Sequence, residues 1–232
     1  MALPKITHTI YKHFLVGLGK EISYRPFTNQ EQKTLLLAKQ EGNKQATINA
    51  VKQIVQQCTM GALDASKLSV FDMEDLFLRI RSKSVSEIAE VRYRHDFDDE
   101  EGRPTSKFID VVVKLDDVKV TVDPEHKKII TLSDDISIVM TYPTFDMVNL
   151  EEEDIPMYCI ESVVDSSGNV FLMSDYTEAE RRDFFDQIDM KGLLEIKRFF
   201  DTSPKLKHTI QVPLSDGTKQ EVVLEGLESF FS

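Results

Sequence analysis

Hydrophobic residues recur at three- and four-residue steps through the first third of the chain, which is the spacing of amphipathic helices. Thr28 followed by Glu31 is a capping-box pattern that predicts a helix start, and Gly42 is a typical helix stop. A second helix is predicted from about Lys44 to Cys58. Together with a third helix, these segments predict a small helical bundle.

The third predicted helix has Ser69 and Asp72 as alternative caps. Its apolar stripe from Leu76 to Ile80 is typical of a core-facing helix side, and contact with a partner protein is the alternative. Its tail, Arg79 to Ser84, is cationic where the helix dipole favours positive charge. For the arginines of this tail the helix-end role is the simpler interpretation, and pairing with an acidic partner is the other one.

From Glu87 onward apolar and polar residues alternate, which is the pattern of half-buried strands. After the strand near residues 89–95, further strand signals lie at residues 108–115, 118–122, 128–132 and 136–142. Short acidic turns separate them. This region is predicted to form one compact antiparallel sheet.

The C-terminal third returns to mixed patterns. Short strand signals lie near residues 157–164 and 170–173, and Thr177 with Glu180 forms a second capping-box pattern. Another helix is predicted from Met190 to Phe200. Two last strand signals flank the turn sequence Ser215-Asp216-Gly217-Thr218 and predict a hairpin.

These patterns predict an α+β fold. Its parts are an N-terminal small helical bundle, a central antiparallel β-sheet, and C-terminal helices with a terminal β-hairpin. The predicted division is a leader at 1–27, a helical region at 28–86, an antiparallel β region at 87–143, and a C-terminal helical region with a closing β-hairpin at 144–232.

Composition narrows the classes of function. The 232 residues include 40 acidic and 28 basic side chains, a net charge of -12, which disfavours binding to nucleic acid or to anionic lipid. We find no apolar run long enough for a membrane span and no signal-peptide pattern, so we expect a soluble protein. The two cysteines, Cys58 and Cys159, are expected to be buried free thiols.

The common signatures of catalysis are missing from the sequence. It has no glycine-rich phosphate loop, no nucleophile elbow, no paired histidines at helical spacing and no two-cysteine metal knuckle. The nearest candidate is the cluster from His95 to Glu101, whose carboxylates could suit a divalent metal, although a solvated acidic turn is favoured. We therefore predict no enzyme activity, no catalytic residue, no cofactor and no metal. A carboxylate-dependent metal hydrolase using Asp96 to Glu101 is the less favoured alternative.

Two aromatic pairs lie near the end of the chain, Phe199-Phe200 and Phe230-Phe231. Chain ends are usually polar, so these rings are expected to be covered. They could complete a core of this chain or dock on a partner subunit, and the sequence leaves both alternatives open.

Four segments spread along the chain share their order and spacing with a known family. They are Leu68–Ser84 (LSVFDMEDLFLRIRSKS), Glu90–Tyr93 (EVRY), Phe199–Pro204 (FFDTSP) and Gly226–Phe231 (GLESFF). Together they resemble the T-even-type bacteriophage baseplate hub family, over most of the chain. Cysteine pairs found in two loops of many members are absent here from Arg94–Arg103 and Pro213–Thr218, so no zinc site is implied.

The resemblance implies a non-enzymatic structural or assembly component of the baseplate central hub of a contractile-tailed phage. Its implied partners are other baseplate hub or tail proteins, not nucleic acid or membrane, and within a symmetric assembly it could form a homo-oligomer. Its implied location is the virion tail baseplate, with the host cytoplasm during assembly. A hub assembly chaperone absent from the mature virion is the alternative.

Eight residues on the third helix and in the aromatic pairs are the predicted partner contacts: Leu76, Phe77, Arg79, Arg81, Phe199, Phe200, Phe230 and Phe231.

Overall fold

The computed structural model describes residues 3–4, 6–98, 101, 103–214 and 218–230. Its helices are α1 (Asn29–Glu41), α2 (Lys44–Cys58), α3 (Val70–Ser84), α4 (Ile155–Tyr158), α5 (Glu178–Asp186) and α6 (Met190–Thr202). Its strands are β1 (Tyr11–Leu15), β2 (Lys20–Tyr24), β3 (Ile88–Asp98), β4 (Pro104–Lys114), β5 (Lys119–Thr121), β6 (Ile129–Thr131), β7 (Ile136–Met140), β8 (Ile160–Asp165), β9 (Val170–Leu172), β10 (Lys205–Pro213) and β11 (Lys219–Glu225). The predicted α+β class is confirmed.

The helix ends follow the local signals in the sequence. Thr28 and Glu31 form the predicted capping box at the start of α1, and Gly42 ends the helix with a left-handed backbone at φ 62°. The Asn43 side chain caps α2 by accepting a hydrogen bond from the Gln45 amide. The second predicted capping box, at the start of α5, is also present.

The strands form four antiparallel sheets among the described residues. Their orders are β1-β2, β3-β4, β11-β10-β5 and β6-β7-β8-β9. The strands predicted to make one central sheet are therefore divided among three sheets. The cause is long-range pairing, because β5 leaves its sequence neighbours and pairs with β10, with Val120 opposite Leu206. The hairpin of β1 and β2 was not predicted as an element.

The chain folds as two compact units. Unit 1 consists of Met1–Ala65, Phe71–Thr121 and Lys205–Ser232, and unit 2 consists of Ser66–Val70 and Val122–Pro204. Each unit therefore joins segments that lie far apart in the sequence. The division into four consecutive regions that the sequence suggests stays a prediction.

A core in unit 1 lies between α3, the β3-β4 hairpin and the β11-β10-β5 sheet. Its buried members are Leu78, Ala89, Val91, Val113, Leu115, Val118, Leu206, Ile210, Val212, Leu224 and Phe230. Because these side chains come from helix α3, from the four strands β3, β4, β10 and β11 and from the segments beside them, removal of their apolar surface from water holds the C-terminal segment to the rest of unit 1.

The core of unit 2 lies between the β6-β7-β8-β9 sheet and α6. Its buried members are Ile130, Ile138, Met140, Cys159, Ile160, Val163, Met173, Ile196 and Phe199. One face of the sheet is thereby covered by helix α6 and its neighbours.

Candidate partner-binding surfaces

Most of the predicted contact residues are buried within their own unit. Leu76 and Phe77 are buried on α3, and Phe199 and Phe230 belong to the cores of units 2 and 1 respectively. Phe200 is half-buried, and Phe231 lies outside the described residues. In this conformation the buried rings complete cores of this chain, so a partner could reach them only if those cores opened.

Arg79 is part of a buried polar network in unit 1. Its Nε donates to Asp75 Oδ1 at 3.0 Å, and its guanidinium also donates to the carbonyls of Leu115, at 2.7 Å, and Val118. His13 Nε2 lies 2.6 Å from Asp75 Oδ2, which ties the β1-β2 hairpin to α3. Asp75 and Arg79 together therefore join three segments of unit 1, and Arg79 is not a solvated helix-end charge.

Arg81, the other predicted cationic contact, is half-buried on α3. Burial lowers its pKa from the ordinary arginine value, because the charged guanidinium loses hydration. An acidic partner could therefore reach only part of the Arg81 side chain.

The acidic cluster does not assemble a metal site in the described part of the chain. The His95 ring stacks on Phe97 at 5.5 Å between centroids, and Asp96 pairs with Arg94 at 2.8 Å. No group of three or more His, Cys, Asp or Glu side chains converges there or elsewhere among the described residues. Asp99 and Glu100 lie outside those residues.

His126 is at the centre of an aromatic group in unit 2. Its ring nitrogens lie 2.9 Å from Thr202 Oγ1 and 3.0 Å from the Tyr142 hydroxyl, and its ring centroid lies 5.0 Å from that of Phe199. Burial lowers the pKa of His126, with the nearby Lys128 adding to the shift. His126 therefore packs against Phe199, whose ring meets that of Phe200 edge-on at 5.1 Å between centroids.

Both cysteines are free and buried, as expected from the sequence. Burial raises the pKa of Cys58 and of Cys159 to about 12. Because the thiolate is the reactive form, neither thiol is suited to nucleophilic chemistry at neutral pH.

An uncharged surface that the sequence pattern did not predict lies on the four-stranded sheet of unit 2. Antiparallel partners point to the same face of a sheet, and successive residues alternate between faces. Ile130, Ile138 and Val163 are in register and face the core. The other side, here called the outer face, carries two rows of side chains. They are Ile129, Val139, Ser162 and Leu172 in one row and Thr131, Ser137, Val164 and Val170 in the other.

No side chain of the outer face is charged, although 29% of the residues in the chain are charged. Three of its aliphatic side chains are open to solvent, with Ile129 at 64%, Val170 at 59% and Leu172 at 47% exposure. Antiparallel sheets that face water on one side normally place polar residues there. The outer face also carries three hydroxyl side chains, Thr131, Ser137 and Ser162, of which Ser162 is buried. An outer face without charge, with exposed aliphatic side chains on both of its edge strands, is typical of a surface that another protein covers.

A signal for this face is present in the sequence. The strands carry consecutive apolar residues, as in Ile129-Ile130, Val163-Val164 and Val170-Phe171-Leu172, where a half-exposed strand would alternate. Such runs are typical of strands covered on both faces.

No helix among the described residues has the length and apolar character needed to cross a membrane. The chain matches the family model described as T4 bacteriophage base plate protein over residues 7–232. No curated protein and no solved structure matches it. The family match covers nearly the whole chain and both compact units, and the chain therefore belongs to the T4 bacteriophage base plate protein family.

Proposed function

We propose that this protein is a non-enzymatic component of the baseplate central hub, or of its assembly, in a contractile-tailed phage, and that it acts by binding other hub or tail proteins. The observation that carries the proposal is the uncharged outer face of the β6-β7-β8-β9 sheet in a chain of net charge -12. Membership of the base plate family supports a role in a phage baseplate.

Charge and apolar surface have separate roles in this proposal. The net negative charge opposes nonspecific association between copies, and it disfavours contact with nucleic acid and anionic lipid. The outer face gives a partner of matching shape an apolar surface with no charge to desolvate. Association is then selective for proteins that cover this face.

The experiment compares two lysine substitutions at similarly exposed valines. Val170 lies on the outer face in unit 2 and is 59% exposed, whereas Val223 lies on β11 in unit 1 and is 55% exposed. Each variant is tested for binding to the purified hub and tail proteins of the same phage. We expect Val170→Lys to weaken binding by at least about tenfold, because it buries an unpaired charge at the interface, and Val223→Lys to change it little. Equal binding by both variants and the unchanged chain would contradict the proposal.

Mass spectrometry of purified virions separates the two forms of the proposed role. A hub subunit would be present in the finished particle, at the tail baseplate. An assembly chaperone would bind hub proteins in the host cytoplasm and be absent from the virion.

A further inference from the structure

The two edges of the β6-β7-β8-β9 sheet differ in how they are protected. Edge strands are commonly guarded against pairing by lysine, proline or bulges. Lys127 and Lys128 directly precede β6. By contrast β9 consists of Val170, Phe171 and Leu172, and its nearest charged neighbours along the chain are Asp165 and Asp175.

The backbone of β9 presents hydrogen-bonding groups to this open edge. The Asp165 amide donates to the Asn169 carbonyl at 3.1 Å, which makes this a hydrogen-bonded pair. Pairs alternate along an antiparallel ladder, so Phe171 exchanges hydrogen bonds with Val163. The amides of Val170 and Leu172 therefore point away from β8, to a side where no described strand lies.

We propose that β9 accepts an extended, uncharged apolar strand from another baseplate protein, which would continue the sheet of unit 2. This inference rests on the proposed function, and it specifies the kind of partner and how it binds. Main-chain hydrogen bonds to the amides of Val170 and Leu172 supply affinity. Alternate side chains of the incoming strand lie beside Val170 and Leu172 on the outer face and beside Phe171, which is 40% exposed, on the other.

A second copy of this chain fits the edge less well than a different protein does. Two copies would each bring a net charge of -12 to the contact. The edge is only three residues long, and a stable two-fold contact usually buries about 800 Å² on each partner. A baseplate protein that also contacts other parts of the assembly needs less binding free energy from this strand, because those contacts raise its effective concentration at the edge.

Substitutions at Leu172 can separate the contribution of its backbone amide to binding from that of its side chain. Its φ of -73° already matches proline, and its amide points away from the ladder with β8. Leu172→Pro therefore removes the edge amide and is compatible with the fold. Leu172→Ala removes the same side chain and keeps the amide, so it is the matched control.

The test measures binding of the full-length chain and both variants to each purified hub and tail protein of the same phage. We expect Leu172→Pro to bind at least about tenfold more weakly than Leu172→Ala, since an incoming carbonyl loses its donor and meets the proline ring. Amide hydrogen exchange gives a second measurement that needs no variant. The amides of Val170 and Leu172 should exchange more slowly in the complex than in the free chain.

The outcomes distinguish the two proposals. If the unchanged chain binds no tail protein, the proposed function fails. If it binds but the proline and alanine variants behave alike and the two amides gain no protection, the edge inference is overturned and the proposed function stands. If sedimentation shows that the chain alone dimerises and Leu172→Pro abolishes the dimer, the occupant is a second copy, which also overturns the inference.

Discussion

Asp75 and Arg79 lie one turn apart on α3, and the two side chains form an ion pair at 3.0 Å while almost completely buried. The pair is not isolated, because His13 contacts the second carboxylate oxygen and the carbonyls of Leu115 and Val118 accept from the guanidinium. A buried charge is tolerated when its hydrogen-bonding capacity is used in this way.

Arg79→Ala is expected to destabilise the chain by about 3–5 kcal/mol, because it leaves a buried carboxylate and two buried carbonyls without their donor. Urea unfolding followed by circular dichroism measures the loss. Arg92→Ala is the control, since Arg92 pairs with Asp110 at 2.8 Å on the exposed surface, where solvent screens the charges, and its loss should lower stability much less than Arg79→Ala does. Similar losses for the two variants would show that the network does not stabilise unit 1.

Phe230 provides a test of the aromatic C-terminal segment. Its side chain is 1% exposed in the unit 1 core, so Phe230→Ala should cost about 3–5 kcal/mol through lost burial and a residual cavity. Thermal unfolding measures this loss. Val223→Ala, at an exposed site on β11, should change stability by less than about 0.5 kcal/mol. A variant that keeps full stability but loses partner binding would instead favour docking of this ring on another subunit.

Local signals in the sequence were sufficient to predict several of the helix ends. Thr28 with Glu31 and Thr177 with Glu180 are capping boxes in the structure, because each depends on partners only three residues apart. Gly42 was identifiable for the same reason, since a left-handed backbone at a helix end favours glycine.

Relationships between distant residues could not be predicted from these signals. Arg79 was interpreted as a helix-end charge, yet its partners include the carbonyls of Leu115 and Val118, 36 and 39 residues away. The outer face was missed because it exists only once four strands are in register, and one sequence does not state which strands pair.

The reactivity of the two buried thiols measures how well the interior of each unit excludes solvent and reagent. Cys58 lies in unit 1 and Cys159 in unit 2, and both side chains are inaccessible to solvent. With the pKa of each raised to about 12 by burial, both should react with a disulfide reagent at pH 8 at least about a hundredfold more slowly than in urea-unfolded chain. Single Cys→Ala variants assign each rate to one unit. Rapid reaction of either thiol in the folded chain would contradict the described burial.

Glu31 combines the capping box of α1 with a buried ion pair. Burial by itself would raise the pKa of Glu31, but hydrogen bonds from Arg25 and Thr28 outweigh it and lower the pKa from 4.5 to about 2. A carboxyl whose pKa is lower in the folded chain stabilises it above the unfolded pKa, and this stabilisation is lost as the pH falls.

Glu31→Gln should therefore cost about 1–3 kcal/mol near neutral pH, and the difference from the unchanged chain should shrink as the pH falls from 4.5 toward 2. Urea unfolding at a series of pH values measures this. Glu180→Gln alters the equivalent capping-box residue of α5, where Glu180 is exposed, so a smaller loss is expected. A penalty for Glu31→Gln that stayed constant through this pH range would show that the stabilisation does not depend on ionisation of Glu31.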